Sequence, residues 1–426
     1  MFKSKINMKL FPIYKMFSWD LLFYYAISFL FLTQVKGFSP AQALSADSFY
    51  ILFKLLVLFI CIPLIDKLGK KNCLIFGNIL VALSVYIIII ANGFSHILIS
   101  FFVMALGYQF KELCESSLLY SSIPMCEKKR NIFAKIDAKG SSLYYFTDGI
   151  TSIIASFSYV VNPYLPMYLC IACLLFSTFI CFGFEDENTS TKTADVDDEE
   201  YTTQTLKEYM QDIKDSFKFI FKSRRLRALL IFSVLLYSMF SISSTLRSSL
   251  FVDLGIPAQY FGVIIAVYQT IASISSRKQQ WFHNRFRNTV LAFFSISMCL
   301  LFISVGTISI IGGASCVFVV LILYLIHYIV KGPYYTLMDK YLNSFSTREI
   351  STKIYSAKSV VTSIFSTLIL QVASLVMDNF TTAESFVIIG FAFLIAFIFT
   401  LQYMKTRVGL KPEEYKKSDI EYVKVK

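Results

Sequence analysis

The sequence contains few charged residues for its length. Aspartate, glutamate, lysine and arginine make up 16% of its 426 residues, and hydrophobic residues make up 56%. Soluble domains are about 25% charged, and a soluble protein as apolar as this one would expose large hydrophobic patches and aggregate. The composition therefore predicts an integral membrane protein with lipids as its surroundings.

Sequence motifs of enzymes and of ATP-driven pumps are also missing. The chain has no nucleotide-binding loop and no HExxH or GxSxG motif,. Its three histidines, His96, His283 and His327, lie far apart. The nine cysteines lie mostly inside apolar segments, and we interpret them as free buried thiols. We expect a protein that is not an enzyme and that needs no cofactor or metal ion.

The formal net charge of +12 does not indicate nucleic-acid binding. The basic residues form short clusters between apolar runs, as in the cytoplasmic loops of membrane proteins. A nucleic-acid surface would need a basic stripe on a soluble domain, and the sequence has no such domain. We therefore expect no nucleic-acid partner.

Apolar runs long enough to cross a bilayer, about 20 residues each, occur twelve times. Their ends lie near positions 35, 65, 91, 121, 161, 184, 251, 275, 310, 338, 376 and 403. The first run begins near Ser18, after a basic N-terminus. The sequence predicts an all-α protein of twelve transmembrane helices in two pseudo-symmetric bundles of six.

The basic residues also predict the orientation of the chain. All but five of the 40 lysines and arginines fall in the termini or in alternate loops, which the positive-inside rule places in the cytoplasm. The five exceptions are Lys36, Lys54, Lys111, Arg247 and Lys331. We predict a multi-pass protein of the cell membrane with both termini in the cytoplasm.

The longest connector divides the chain near its middle. We predict a first bundle over residues 1–184, a cytoplasmic loop over 185–227, a second bundle over 228–404 and a cytoplasmic tail over 405–426. The loop begins with an acidic, polar stretch. It continues with an apolar stripe at helical spacing that suits either a helix in the headgroup plane or a soluble linker helix: Leu206, Met210, Ile213, Phe217 and Phe221.

The turn after the second run, Asp66-Lys-Leu-Gly-Lys-Lys-Asn72, resembles the signature loop G-x-x-x-D-R-x-G-R-R of the major facilitator superfamily (MFS). The segment ESSLLYSSIP at the end of the fourth run looks like the E-A-L-L-Y-D segment of bacterial members. The loop that contains Arg348 resembles a second conserved stretch of that superfamily. The resemblance covers the whole chain as an architecture.

This resemblance implies a secondary transporter that works by alternating access, with helices 1, 4, 7 and 10 around a central cavity. It implies that the signature loop holds the cytoplasmic side shut through Asp66, whose carboxylate would face the positive start of the eleventh helix. Alternatively, Asp66 has no role in gating and its carboxylate only interacts with water at a turn. The residues that the resemblance assigns to gating are Asp66, Gly69, Lys70, Lys71, Asp339 and Arg348.

Charged residues inside the runs are candidates for function because each costs at least about 2.5 kcal/mol on insertion scales. Lys111 and Glu115 share a helix face and can pair. Lys111 and Lys331 could together attract an anionic group, or each could neutralise a nearby carboxylate. With the aromatic candidates, the predicted substrate-cavity residues are Lys111, Glu115, Arg247, Lys331, Tyr24, Tyr334 and Lys54.

Proton coupling needs a carboxylate whose proton affinity changes with its surroundings. Glu112 and Glu115 lie deepest in the fourth run. Asp20 lies in the first predicted turn of the first run, where it could instead be a dipole partner or gate. Asp148 could serve as a gate or a coupling site.

The sequence thus predicts a monomeric carrier of a small-molecule substrate, coupled to an ion, H⁺ in our expectation. Efflux is the first expectation for direction because the signature loop is common in exporters. Uptake of an anionic nutrient is the alternative that the cavity lysines support. A sensor with a carrier fold that transports nothing is a third, weaker alternative.

Overall fold

A computed structural model describes residues 2–124, 129–185, 224–286, 289–344 and 348–404, together with scattered positions between 207 and 218. These residues are almost entirely helical, as the sequence predicted. The acidic stretch, most of the predicted amphipathic helix and the tail after Met404 lie outside the described residues. Within helices, the side chains of Asp66, Asp339 and Arg348 also lie outside them.

Among the described residues, seven helices and a π-helical turn precede the central connector. The turn, Phe31–Val35, continues the very short second helix. In chain order the helices are α1 (Phe2–Ser18), α2 (Ser28–Leu30), α3 (Pro40–Leu68), α4 (Lys70–Ile90), α5 (Phe94–Ser121), α6 (Lys129–Val161) and α7 (Leu165–Phe182).

The part of the chain that the structure describes after the connector contains seven further helices. A 3₁₀ turn, Gly313–Cys316, joins the fourth of them to the fifth. In chain order they are α8 (Arg224–Asp253), α9 (Gln259–Arg277), α10 (Gln279–Phe286), α11 (Val290–Gly312), α12 (Val317–Ser344), α13 (Arg348–Asn379) and α14 (Thr382–Met404).

Within the described residues, eight stretches are long and apolar enough to span a membrane, and one of them, Val290–Tyr335, covers both α11 and α12. The first run falls short because its helix is broken. Helices α6 and α9 carry many serine, threonine and tyrosine residues, which lower their mean hydropathy. The count of twelve spans stays a prediction.

The sequence predicted that the first run begins near Ser18, and this prediction is wrong. Helix α1 already covers Phe2–Ser18, and the helix is broken between Trp19 and Ile27. The basic residues suggested a tail in water, but Lys15 is 6% exposed and its ammonium lies 2.6 Å from the Asp137 carboxylate. An ion pair with a residue far along the chain thus keeps this part of α1 inside the fold.

Several predicted loops are also helical. Helix α6 begins at Lys129, and α13 begins at Arg348, although both segments looked like basic loops. Part of the loop between the eighth and ninth runs forms the short helix α10. Charged side chains at the ends of a helix do not interrupt its backbone hydrogen bonds, so hydropathy alone placed these starts too late.

The chain separates into two compact units by its contacts. The first contains Met1–Phe38, Phe49–Tyr209 and Ala258–Val263, and the second contains Ser39–Ser48, Met210–Pro257 and Ile264–Lys426. In the first unit α4 packs between α5 and α7, and α1 packs against α6. In the second unit α11 packs against α14, and α8 packs against α13 and α14.

The start of α3 belongs to the second unit because polar side chains fix it to α13. The Gln371 amide donates to the Ser48 hydroxyl at 2.5 Å and to the Ser45 hydroxyl at 3.1 Å. The Ser374 hydroxyl donates to the Ala41 carbonyl at 2.8 Å. The sequence placed the start of α3 in a solvated connector. In the structure, hydrogen bonds to α13 take the place of hydrogen bonds to water.

Candidate functional site

The break after α1 forms the centre of a polar site in the first unit. The hydroxyls of Tyr25 and Tyr108 donate to the Asp20 carboxylate at 2.8 and 2.7 Å, and the Leu21 amide donates to it at 2.9 Å. Phe23 has φ of 65°, which is unusual for a bulky residue and marks local strain of the kind found at functional sites. Asp20 is half-buried and lies in the break after α1, so its predicted place in the first turn of a helix was wrong.

Irregular backbone within a membrane-spanning run needs partners because lipid offers no hydrogen bonds. Lys111, on α5, supplies one by donating its ammonium to the Ser18 carbonyl at the end of α1. The Ser18 hydroxyl donates to the Asn78 side chain on α4 at 2.7 Å. The break is thus held by two neighbouring helices, and Lys111 is only 1% exposed.

Glu115 lies one turn beyond Lys111 on α5, but the pair that their spacing allowed is not formed. The two ion pairs among the described side chains are Lys15–Asp137 and Lys54–Glu112. The Lys111 ammonium instead faces the Tyr108 ring at 4.7 Å, and Glu115 Oε1 is buried without a hydrogen bond. Glu115 is therefore a buried carboxylate with an unused acceptor.

A cavity of about 160 Å³ lies beside this carboxylate. At about 30 Å³ per water, it has room for a few water molecules, and its walls combine acidic, basic and aromatic groups. They are Lys15, Trp19, Tyr108, Lys111, Glu112, Glu115 and Ser116. The geometry can hold a proton or a small polar group between carboxylates and bases.

The other two predicted acidic residues, Asp148 and Glu112, lie in different surroundings. Asp148, on α6, lies within electrostatic range of Asp20, but the two carboxylates share no hydrogen bond among the described side chains. Glu112 is half-exposed and bonds with Lys54 of α3 at 2.5 Å. The Tyr24 side chain is buried in the break and its ring lies 5.5 Å from the ring of Tyr25.

The signature motif contains a turn of a single residue between two helices, and not a longer loop. Helix α3 ends at Leu68, α4 begins at Lys70, and Gly69 between them has φ of 79° and ψ of 154°. Lys70 donates to the Ser117 carbonyl at 3.4 Å, and Lys71 donates to the Phe182 carbonyl at 2.9 Å. Both lysines therefore bind the ends of neighbouring helices, and their role as a gate stays a prediction.

The second unit has its own buried polar cluster, on α8 and α12. Arg247 donates to the Tyr328 hydroxyl, and His327 Nδ1 lies 2.9 Å from the Ser243 hydroxyl. The Lys331 ammonium lies 5.9 Å from the centre of the Tyr328 ring. The ring of Tyr334 lies 5.4 Å from that of Phe240, and its place in a substrate cavity stays a prediction.

Sequence reasoning missed several of these residues. His327 looked like an isolated histidine because its partner Ser243 is 84 positions away. Asp47 looked like part of a connector, but its carboxylate lies near the Thr245 hydroxyl of α8. Helical spacing offered one usable signal, since Tyr324, Tyr328 and Lys331 lie at i, i+4 and i+7 and share a face of α12.

One cysteine pair was also overlooked. Cys170 and Cys173 have C-x-x-C spacing, which often signals redox or metal chemistry. Here the motif lies inside α7, both thiols are free, and no group of three potential metal ligands occurs among the described residues. The two cysteines give no sign of a metal or redox site.

A larger cavity of about 470 Å³ lies in the second unit, where α8, α11 and α13 end. Asp253 is its single charged lining residue, and the other lining groups are apolar or small. It lacks the buried charges of the two clusters, so we do not assign the functional site to it.

Comparison with known proteins agrees with this architecture. The sequence model of the Major Facilitator Superfamily matches residues 15–342, whereas no curated protein matches the sequence. The fold is similar to that of the nucleoside transporter NupG, with a TM-score of 0.71 and 13% identity over 97% of this chain and all of that one. It is also similar to a peptide transporter POT in complex with sulfate, at a TM-score of 0.67 and 14% identity over 96% of each chain.

A third solved structure, a D-xylose-proton symporter, aligns with a TM-score of 0.61 and 11% identity over 96% of this chain and 98% of that one. At such low identities the three structures show the fold alone. The family match covers most of the chain, and it agrees with the helical architecture. The chain therefore belongs to the Major Facilitator Superfamily, and it is a membrane transporter rather than an enzyme.

Proposed function

We propose that the chain is a secondary active carrier that exports a small organic solute in exchange for protons, by alternating access. The observation that carries this proposal is the polar site at the break after α1, where Glu115 is buried and Asp20 is half-buried. There the carboxylates of Asp20 and Glu115 lie among tyrosine hydroxyls and a buried lysine. Such a site can take up and release a proton when its surroundings change.

Glu115 is the residue to which we assign proton binding. One of its carboxylate oxygens is buried and unpartnered, so it is available to take up a proton. A shift that brought a base or water to this oxygen would release the proton. Asp20 already accepts three hydrogen bonds, so we assign it to positioning the break.

Protons as the coupling ion also agree with the absence of other driving chemistry. No nucleotide-binding motif occurs in the sequence. One of the structures with the same fold is described as a proton symporter. Export as the direction rests on the signature turn at Asp66–Asn72, which resembles that of exporters.

Uptake of an anionic nutrient is the second candidate function. The observation that favours it is the basic cluster of the second unit, where Arg247, His327 and Lys331 lie on two packed helices. An imported anion would move with protons in the same direction, whereas an exported solute would move against them.

Flux into proteoliposomes tests both candidates. Purified full-length protein would be reconstituted, with a pH dye inside the vesicles, and exposed to paired charged and neutral organic solutes under proton gradients of either polarity. We expect solute flux to speed up when the proton gradient opposes it. Acceleration by a gradient in the same direction would instead establish uptake, and no flux for any solute would contradict both candidates in favour of a sensor.

The Glu115→Gln variant tests the coupling residue. We expect it to lose proton-driven flux but to keep solute exchange, because exchange of solute for solute needs no proton transfer. Asp378→Asn changes an exposed carboxylate in the last turn of α13, and this matched control should behave as the wild type. Proton-driven flux at the wild-type rate in Glu115→Gln would exclude this residue as the proton carrier.

A further inference from the structure

The second unit contains three basic side chains that lie close together and that no described acidic group neutralises. Arg247 lies on α8, and His327 and Lys331 lie on α12. Arg247 and Lys331 both act electrostatically on the His327 ring, and Arg247 acts on Lys331. Among the described side chains, none of the three belongs to an ion pair.

Two of these side chains also keep an unused polar atom. Arg247 is 8% exposed and His327 is 0% exposed. Arg247 uses its terminal nitrogens on Tyr328 and Ser248, while its Nε has no partner. His327 uses Nδ1 on Ser243, while its Nε2 is buried without a partner.

Such an arrangement is costly unless something compensates for it. Buried charges in proteins are normally paired, and ionisable groups within membrane-spanning helices are expensive and usually mark a functional site. Here like charges repel one another and buried donors are unsatisfied. An anionic group with several acceptor oxygens would remove both costs at once.

A described carboxylate at the start of α3 does not fill the role of a resident counter-ion. Asp47 lies near the Thr245 hydroxyl, and Thr245 is about 200° around α8 from Arg247. Among the described residues, no acidic side chain forms an ion pair with Arg247, His327 or Lys331. A bound solute could supply this counter-ion.

The surroundings are suited to a solute. The ring of Tyr328 stacks on that of Tyr268 with centroids 4.8 Å apart, and the ring of Tyr324 lies 6.2 Å from Tyr268. Exposure rises along this face of α12, from 0% at Tyr324 through a half-buried Lys331 to 40% at Tyr335. The basic cluster therefore has one open end, at Lys331.

We propose that Arg247, His327 and Lys331 form a subsite that binds the carboxylate or phosphate group of the transported solute. Arg247 and Lys331 supply the charge, and His327 adds a hydrogen bond from Nε2. Tyr268 and Tyr328 hold these side chains in place. This inference rests on the proposed carrier function, but it does not depend on the direction of transport.

Ligand-induced thermal stabilisation of the purified full-length protein, in buffer free of phosphate and sulfate, tests the subsite. The probes are matched pairs that differ in charge: benzoate with benzamide, succinate with succinamide, glucose 6-phosphate with glucose, and uridine monophosphate with uridine. We expect at least one anion to stabilise the protein where its neutral partner does not. The carboxylate and phosphate pairs tell the two anion chemistries apart. The inference is wrong if no anion exceeds its neutral partner.

Variants then locate the binding. We expect Arg247→Gln, His327→Gln and Lys331→Gln each to weaken the affinity for that anion, by at least about tenfold for the two charged residues. Lys331→Arg keeps the charge and should retain most of the affinity. Arg277→Gln removes an exposed charge at the end of α9 and serves as the control. Should the buried Arg247 variant not fold, the half-buried Lys331 variant decides the test, and wild-type affinity there would overturn the inference.

Flux measurements with the same solutes keep this inference separate from the proposed function. Transport that is equally fast for neutral and anionic partners, and unchanged in Lys331→Gln, would overturn the subsite and leave the carrier function standing. Tight, charge-selective binding without transport of any solute would support the subsite and contradict the carrier function.

Discussion

Besides Lys70, three lysines of the first unit donate to carbonyls at the ends of helices. Lys36 donates to the carbonyls of Ile89 at 2.5 Å and Ala91 at 3.0 Å, at the end of α4. Lys71 donates to the last residue of α7, and Lys111 to the last residue of α1. The last carbonyls of a helix lack partners within it, and cations near that end are favourable. These lysines therefore have a structural role, whatever else they do.

For Lys111 this role gives a prediction that separates structure from substrate binding. Lys111→Met leaves the Ser18 carbonyl buried without its donor, which costs about 1–3 kcal/mol. We expect a lower melting temperature of the purified protein in the absence of any solute. Lys54→Met, which removes the partly exposed partner of Glu112, should cost less than about 1 kcal/mol. Equal melting temperatures for the two variants would contradict the structural role.

Gly69 gives a second prediction at this scale. Its φ of 79° and ψ of 154° lie in a region that is essentially restricted to glycine. We expect Gly69→Ala to destabilise the protein by about 1–3 kcal/mol. Gly149→Ala is the matched control, because a Cβ at Gly149 in α6 meets no atom within 4 Å, and it should be neutral or slightly stabilising. A thermal melt of both variants checks the difference, and a wild-type melt of Gly69→Ala would show that the turn tolerates another backbone.

At the scale of elements, close helix packing depends on glycines that face each other. A Cβ at Gly107 of α5 would lie 2.7 Å from the Gly77 carbonyl of α4, and a Cβ at Gly77 would lie 2.8 Å from the Gly107 carbonyl. Small residues that let two backbones approach are a common device of membrane helices. Gly306 and Gly390 give α11 and α14 the same kind of contact.

We expect Gly107→Val to push α4 and α5 apart, because Val81 and the Gly77 carbonyl leave no room for a side chain. Overpacking of this kind costs about 1–3 kcal/mol. The variant should express less folded protein and melt at a lower temperature than Gly149→Val, which carries the same change where space is open. Indistinguishable size-exclusion profiles and melts of the two variants would argue against this packing.

The break after α1 is an element that hydropathy could not show. Residues 19–27 are as apolar as their surroundings, so a run of suitable length predicts a straight helix. Its interruption depends on two residues of α5, because Tyr108 donates to Asp20 and Lys111 donates to the Ser18 carbonyl. The irregular backbone then lies beside the cavity, where transporters commonly place broken helices.

At the scale of the whole molecule, the distribution of basic residues predicts the topology. If both termini face the cytoplasm and twelve helices cross the membrane, the turn at Asn162 between α6 and α7 faces outside. We expect a C-terminal fluorescent-protein fusion to be bright and a C-terminal alkaline phosphatase fusion to be inactive. Alkaline phosphatase fused after Asn162 should be active, and activity at the C-terminus instead would contradict an even number of spans.

The sequence by itself determined the membrane setting, the helical class and the superfamily, because hydropathy and loop charge are local properties of the chain. It also selected Lys111, Glu115, Arg247 and Lys331, since each stands out as a charge in an apolar run.

Only the tertiary structure decided which of these groups meet. It separated Lys111 from its helical neighbour Glu115, broke the first helix at Asp20, and placed His327 beside Arg247. These outcomes depend on hydrogen bonds and charges between residues 60 to 93 positions apart or on different helices. A local sequence pattern cannot predict these contacts, because the packing of the helices determines which side chains are buried and which of them pair.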